Sequence, residues 1–214
     1  MNKQEIKNTF QASVADDLLQ YGFKLNKQDS VFTRKTSYGW DKFHLTFYNR
    51  TSGWDVDFGM LIRISEVEKI YHAGSYFEKK YHSSTSTIGI TVGTYLKDEE
   101  SNTIFLDENS DINEFYAMTL RLFKEVALPF FEKYNTIQEL DKVINVEEGE
   151  SIFPRKIYEG HLGIILAKLA NNPKFNFFEQ KYREYYKKDY GGFYLKEYED
   201  VLKVVEKVHP TEIA

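Results

Sequence analysis

The chain has 214 residues, of which 42% are hydrophobic and 16% aromatic, and its 28 Lys and Arg against 33 Asp and Glu leave a formal net charge of −5. This composition supplies a packed core, which excludes wholesale disorder, and the negative charge argues against a nucleic-acid partner because phosphate affinity depends on excess Lys and Arg. The chain has no cysteine. Disulfides, thiol nucleophiles and thiolate metal sites are therefore excluded.

Targeting and cofactor motifs are missing from the sequence. The first twenty residues contain no apolar stretch of signal-peptide length, and no apolar run reaches the roughly 20 residues of a membrane span. The sequence has no phosphate-binding glycine loop, no nucleophile-elbow motif and no pair of histidines at helical spacing. We therefore expect a cytoplasmic protein with no membrane partner, no cofactor and no metal.

The first predicted element is a helix over residues 3–21. Its apolar residues recur about once per turn and form one stripe: Ile6, Phe10, Val14, Leu18 and Tyr21. Gly22 is expected to end the helix in the left-handed conformation that glycine adopts most easily.

The hydrophobic period then changes to two, which predicts strands over residues 31–35, 40–50, 54–70 and 86–96. Alternate residues of the second and third strands are apolar, with Phe43 and Phe58 as examples, and Ile90 continues the pattern on the fourth. The intervening residues are polar or small. One face of the sheet is therefore predicted to be core and the other open.

The short polar turn at residues 50–53 predicts the register of the hairpin that it connects. Core residues must lie opposite core residues, which places His44 opposite Gly59 and Thr46 opposite Asp57 on the open face. A slip of one residue would bury Asp55 and Asp57.

This register assembles a candidate open-face site from His44, Thr46, Asp57, Arg63 and Thr91. His44 and Asp57 would be diagonal neighbours, with the imidazole as a general base and the carboxylate as its orienting group. Glycines beside them leave room for a small ligand. The alternative interpretation is that these polar residues lie there because the face is solvated, and that the glycines let helices approach.

An acidic stretch follows the fourth predicted strand. Its candidate partner patch consists of Asp98, Glu99, Glu100, Asp107 and Glu108, which together would attract a basic protein. The alternative is a solvated loop beside a helix N-terminus, where negative charge is favourable.

The rest of the chain is predicted to be helical. A helix over residues 112–134 is expected to kink or end near Leu128 because of Pro129, and a short helix follows to residue 144. Residues 146–156 form a candidate boundary, beyond which helices are predicted over 159–170, 174–188 and 194–208. The second of these regions interleaves aromatic and basic residues, but Phe178, Tyr182 and Tyr186 have the spacing of a helix packed on a core.

Two stretches of the sequence resemble a known family. LLQYGFKLNKQDSVFTRKTSYGWDKFHLTF, at residues 18–47, and LPFFEKYNTIQELDKVI, at residues 128–144, resemble a bacterial family of domains of unknown function, the four-three-zero-four type. The resemblance covers residues 6–145. The family has no established activity, so the resemblance implies no catalytic residue here. Proteins of this general kind are considered as immunity or accessory factors in bacterial competition.

These observations predict an α+β fold in which an antiparallel sheet of four or five strands has helices on its apolar face. Residues 1–145 would form the sheet domain and residues 146–214 a helical C-terminal annex. We expect a non-catalytic protein-binding module, with an immunity-like role as one form of it. One alternative is a small-molecule or hydrolytic site using His44 and Asp57. Another is a self-associating scaffold that joins sheets through an unpaired edge at residues 31–35.

Overall fold

The computed structural model describes residues 2–98, 102–153 and 158–209 and has an α+β fold. Within these residues the sheet has six strands in the order β1-β2-β3-β4-β5, with β6 also paired to β4. The strands are β1 Lys24–Asn26, β2 Val31–Lys35, β3 Gly39–Asn49, β4 Gly53–Ile64, β5 Ile88–Thr91 and β6 Ile104–Asp107. The β1–β2, β2–β3, β4–β5 and β4–β6 pairs are antiparallel; β6 pairs with the first half of β4 and β5 with the second.

The helices in the described part of the chain are α1 Lys3–Leu19, α2 Ser65–Gly74, α3 Val92–Leu96, α4 Ile112–Leu122, α5 Leu128–Lys133, α6 Ile137–Ile144, α7 Glu159–Leu169, α8 Phe175–Lys188 and α9 Leu195–Val205. Most of these helices lie where helices were predicted, but α2 and α3 begin within predicted strands. None of the described helices combines the length and the apolar character that a bilayer-spanning segment requires.

The chain divides into two compact units. The first unit comprises Met1–Ile62 and Ile88–Lys133, and the second comprises Arg63–Thr87 and Tyr134–Ala214. The second unit thus contains the predicted annex together with residues 63–87 and 134–145, which the sequence prediction assigned to the sheet domain. The second unit combines two separate stretches of the chain, so its limits could not be predicted from one continuous segment of sequence.

The two-faced sheet of the first unit is confirmed. Phe43 and Phe58 are fully buried, Ile90 is nearly so, and the rings of Phe43 and Phe58 stack with centroids 5.8 Å apart. Asp55 and Asp57, on the other face, are only half-buried. Burial of large aromatic side chains on one face stabilises the sheet, and each contributes about 1.5–3 kcal/mol.

The predicted end of α1 is also confirmed. Gly22 has a φ of 84°, and the Phe23 amide donates to the Leu18 carbonyl at 3.1 Å. This left-handed turn satisfies a carbonyl that the end of the helix would otherwise leave without a partner.

Two predicted strands end earlier than expected. The strand predicted over 54–70 ends at Ile64, and α2 follows because Val67 and Ile70, one helical turn apart, are both buried. The strand predicted over 86–96 ends at Thr91, whose hydroxyl accepts a hydrogen bond from the Thr94 amide and so caps α3.

Two further expectations about the sheet are wrong. Residues 31–35 are not an edge, because β2 pairs with β1 on one side and β3 on the other. The acidic stretch contains a strand, β6, in which Ile104 and Leu106 alternate with exposed or half-buried residues. The self-association that was predicted through residues 31–35 therefore lacks its edge.

Pro129 has the expected local effect. The helix that begins as α4 passes through a π-helical turn at Phe123–Ala127 before it continues as α5. The Leu128 amide donates to the Phe123 carbonyl, five residues earlier. Proline has no amide hydrogen and its ring crowds the preceding turn, so the helix widens just before it.

One ion pair is buried on the apolar face of the sheet. Asp41 has no exposed surface, and its carboxylate accepts hydrogen bonds from Arg34 Nε at 3.0 Å and Nη2 at 2.8 Å. The Tyr38 hydroxyl donates to the same carboxylate at 2.8 Å. Burial raises the pKa of Asp41, while the bonds from Arg34 and Tyr38 oppose that shift.

In the second unit, α7 is buried nearly all round and contacts α2, α6, α8 and α9. A Cβ atom on Gly163 would lie 2.5 Å from the Tyr182 hydroxyl oxygen, so glycine is required for the close approach of α7 and α8. Phe178, Tyr182 and Tyr186 of α8 are buried. The aromatic residues of this helix therefore form core, as their spacing indicates.

Candidate functional site

Two of the predicted open-face residues lie on either side of Gly59. A Cβ atom on Gly59 would be 3.4 Å from the Cβ atom of His44, which makes the two residues cross-strand neighbours, as the predicted register requires. Gly59 in turn pairs with Thr91 of β5. Thr46 lies two residues further along β3 and is half-buried. The Thr91 hydroxyl is engaged in capping α3.

The polar contacts of His44 and Asp57 lead to other residues. Burial lowers the pKa of the His44 imidazole, and a hydrogen bond to the Asp29 backbone opposes this effect. The Asp57 carboxylate accepts a hydrogen bond from Thr103 Oγ1 at 2.6 Å. The contacts that the structure places around these two groups therefore fix each in a separate local arrangement, and a shared open-face site stays a prediction.

The predicted acidic patch consists of Asp98, Glu99, Glu100, Asp107 and Glu108. Glu99 and Glu100 lie outside the described residues, while Asp98 and Glu108 are exposed. Asp107 is half-buried, and its carboxylate accepts hydrogen bonds from the Asn109 amide and the Ser110 hydroxyl, both at 2.9 Å. Asp107 thus closes the turn after β6.

A different group of residues forms a recess in the second unit. We call it the cationic recess; its volume is about 520 Å³. It is lined by Arg63 from the end of β4, by residues of α2 and by residues of the following turn: Arg63, Lys69, His72, Ala73, Lys79, His82 and Ser83. Among these described residues, three are Lys or Arg, two are His and none is acidic.

The buried carboxylate of Glu68 organises the floor behind the recess. Only 4% of Glu68 is exposed, and its two oxygens accept hydrogen bonds from Thr85 Oγ1 at 2.5 Å and Thr87 Oγ1 at 2.9 Å. Arg63 Nη1 lies 3.7 Å from the same carboxylate and donates to Thr85 Oγ1 at 2.7 Å. Burial lowers the pKa of Arg63 and the Glu68 charge opposes this. This network fixes Arg63 at the recess.

The arrangement also defines which nitrogen of His72 carries the proton. A threonine hydroxyl has one hydrogen to donate. Thr85 donates its hydroxyl hydrogen to Glu68, so the Thr85 oxygen must accept in its hydrogen bond with His72. His72 Nε2, 2.8 Å from that oxygen, therefore carries the proton. The bonds to Glu68 and His72 together fix the orientation of the Thr85 side chain.

Two imidazoles stack in the recess. The rings of His72 and His82 are nearly parallel, at 8°, with centroids 3.9 Å apart. Burial, and after it repulsion from His82 and Arg63, lowers the pKa of His72 to about 4. Although Glu68 Oε2 is 3.5 Å from His72 Nε2, the imidazole is therefore neutral at pH 7 and the contact is not an ion pair.

The turn that follows α2 is anchored to α9. The Tyr76 amide donates to Glu197 at 2.9 Å, and the Tyr76 hydroxyl donates to Asp200 at 2.8 Å. Within the turn, His82 Nε2 donates to the Phe77 carbonyl at 2.8 Å. These bonds fix the turn against α9 and hold His82 beside α2, where it stacks on His72.

The chemistry of this arrangement is that of an anion site. Lysine and arginine side chains form charge-assisted hydrogen bonds with phosphate or carboxylate groups. A metal cation would be repelled by the same charges, and within the described residues no group of three His, Cys, Asp or Glu side chains is arranged to hold one.

Sequence reasoning missed the cationic recess. It rejected the histidines because no two have metal-binding spacing, and His72 and His82 are indeed ten positions apart in YHAGSYFEKKYHSST. The available signal was composition: this segment combines aromatic, basic and imidazole side chains in an acidic protein. Only the turn between α2 and β5 brings them together.

The chain has an α+β fold, and its second unit carries the cationic recess. Comparison with family models, with curated proteins and with solved structures finds no match. The resemblance to the four-three-zero-four family stays a prediction.

Proposed function

We propose that this protein is a non-catalytic binding protein that holds an anionic ligand of the phosphate class in the cationic recess. The observation that supports the proposal is the convergence of three cationic side chains and two imidazoles, with no acidic residue among the described lining residues, in a chain whose net charge is −5. The recess, of about 520 Å³, is shallow and open to solvent, so a ligand would be held along one side only.

The proposal keeps the binding-module interpretation of the sequence and changes the surface that carries it. The acidic residues between positions 98 and 108 would recruit a basic partner, whereas the recess recruits an anion. A cytoplasmic location and a bacterial source remain part of the proposal, as does the absence of catalysis.

Binding of inorganic phosphate and pyrophosphate to the full chain, measured by isothermal titration calorimetry at low and high salt, tests the proposal. We expect binding that weakens as salt is raised, because exposed lysines interact with the anion through screened charges. Lys69→Gln and Lys79→Gln should each weaken binding about fivefold, which corresponds to about 1 kcal/mol.

Lys207→Gln is the matched control, because Lys207 is an exposed lysine of the same unit that does not line the recess. It should leave the dissociation constant unchanged. If neither anion binds, or if Lys207→Gln weakens binding as much as the recess variants do, the proposal is wrong.

A further inference from the structure

The rim of the cationic recess carries two exposed aromatic side chains. Phe77 is 37% exposed and Tyr81 is 47% exposed, although both belong to a turn that is held in place. Tyr76, the third exposed aromatic residue of this turn, is explained by its bonds to α9. Lys80 Nζ lies over one face of the Tyr81 ring, 4.7 Å from its centroid, so the surface available to an outside contact consists of Phe77 and the remaining face of Tyr81.

These two rings are continuous with the recess. The Phe77 centroid lies 5.7 Å from that of His72, which lines the recess, and the Tyr81 centroid lies 6.1 Å from that of Phe77. His72 in turn stacks on His82. The rings of His82, His72, Phe77 and Tyr81 therefore form a continuous series from the recess to the solvent-exposed rim.

Cationic side chains beside exposed aromatic rings suit a ligand that combines an anionic group with a flat ring. Exposed aromatic faces stack on nucleobases, and stacking tolerates different bases because each has a π-face. Lys and Arg side chains bind the phosphate of the same molecule. A ligand that was only an anion would leave Phe77 and Tyr81 exposed.

We infer that the ligand of the cationic recess is a mononucleotide, with its phosphate among Arg63, Lys69 and Lys79 and its base against Phe77 and Tyr81. This inference rests on the proposed function and narrows it from anions in general to nucleoside phosphates. It is compatible with the acidic net charge, because a single nucleotide needs one cationic recess and not the extended basic surface that a nucleic acid requires.

Calorimetric titration of the full chain with AMP, GMP, CMP, UMP, adenosine and inorganic phosphate tests the inference. At least one nucleotide should bind about 10- to 100-fold more tightly than inorganic phosphate, since stacking of the base adds to the phosphate contacts. Adenosine, which lacks the phosphate, should bind more weakly than AMP.

Phe77→Leu and Tyr81→Leu separate the two contributions. Each should weaken binding of the preferred nucleotide about tenfold and leave phosphate binding unchanged, because neither ring belongs to the cationic lining. Phe193→Leu is the control, since Phe193 is a 78% exposed aromatic residue of the same unit that is not a lining residue. It should change neither.

The outcomes distinguish this inference from the proposed function. If phosphate binds and no nucleotide binds more tightly, the mononucleotide inference is overturned while the anion site stands. The inference is also overturned if Phe77→Leu and Tyr81→Leu leave nucleotide binding unchanged. If neither phosphate nor any nucleotide binds, both fail.

Discussion

The buried carboxylate of Glu68 provides the most direct test of how the recess is built. Glu68→Gln keeps the side-chain volume but removes the charge. In the variant, the amide oxygen can still accept a hydrogen bond from one threonine, but as a neutral hydrogen bond. The amide nitrogen cannot accept, so it must donate to the other threonine instead. Hydrogen bonds to a charged group contribute about 1.5–3 kcal/mol and neutral ones about 1 kcal/mol. Arg63, whose side chain is only 12% exposed, also loses its neighbouring charge.

We therefore expect Glu68→Gln to lower the free energy of unfolding by about 2–3 kcal/mol, and Glu68→Ala by about 4 kcal/mol because it leaves an uncompensated cation. Urea unfolding followed by far-ultraviolet circular dichroism measures both values. Glu66→Gln is the control on the same helix, since Glu66 is exposed in the first turn and its loss should cost no more than about 1 kcal/mol. If Glu68→Gln costs less than about 0.5 kcal/mol, the carboxylate does not hold the network, and our account of the recess is wrong.

Three further predictions concern the buried groups of both units. Arg34→Met should destabilise the protein by about 3–5 kcal/mol because it leaves the Asp41 carboxylate buried alone, and adding Asp41→Leu should recover much of the loss in urea unfolding. Gly74→Ala should cost about 1–3 kcal/mol in the same assay, since its Cβ would lie 2.5 Å from the Val201 Cα atom. The pKa of His72 is lowered from 6.5 to about 4, so the folded protein favours the neutral imidazole. The resulting stability is fully present above pH 6.5 and should be lost as the pH falls toward 4. The thermal unfolding temperature should therefore depend less on pH across this range in His72→Gln.

The sheet and the C-terminal helices could be predicted because their burial follows sequence period. Phe43 and Phe58 are buried where alternation places them, and His44 lies opposite Gly59 because only that parity keeps Asp55 and Asp57 out of the core. Helices α7 to α9 begin and end within a few residues of their predicted limits. In both cases the signal is local and repeated over many residues.

The ends of β4 and β5 could not be located in the same way. Val67 and Ile70 are three residues apart, which breaks the alternation of β4, but two residues are too few to establish a helix until both are seen buried. Thr91 fits a strand by its β-branched side chain, yet its hydroxyl caps α3. Threonine favours both strands and helix N-caps, so the sequence alone does not show which of the two roles Thr91 takes in the fold.

The cationic recess was beyond sequence reasoning for a different reason. Arg63, His72 and His82 lie on a strand end, a helix and a turn, so their proximity depends on how these segments fold together. No fixed spacing records that geometry. Glu68, which lies within the strand predicted over 54–70, gives no sequence signal of its burial; only the threonines that follow the turn reveal it.

The discontinuity of the second unit has a consequence for synthesis. Helix α2 leaves the ribosome well before α7 and α9, the helices with which it makes its contacts. At bacterial and eukaryotic elongation rates, the roughly 100 intervening residues take roughly 5–20 s to translate. Throughout that delay α2 lacks α7 and α9, so the side of α2 that carries Val67 and Ile70 is uncovered on the nascent chain. A premature stop before α9 would leave that helix without its last partner, and quality-control proteases would recognise a defect in a segment made early in translation.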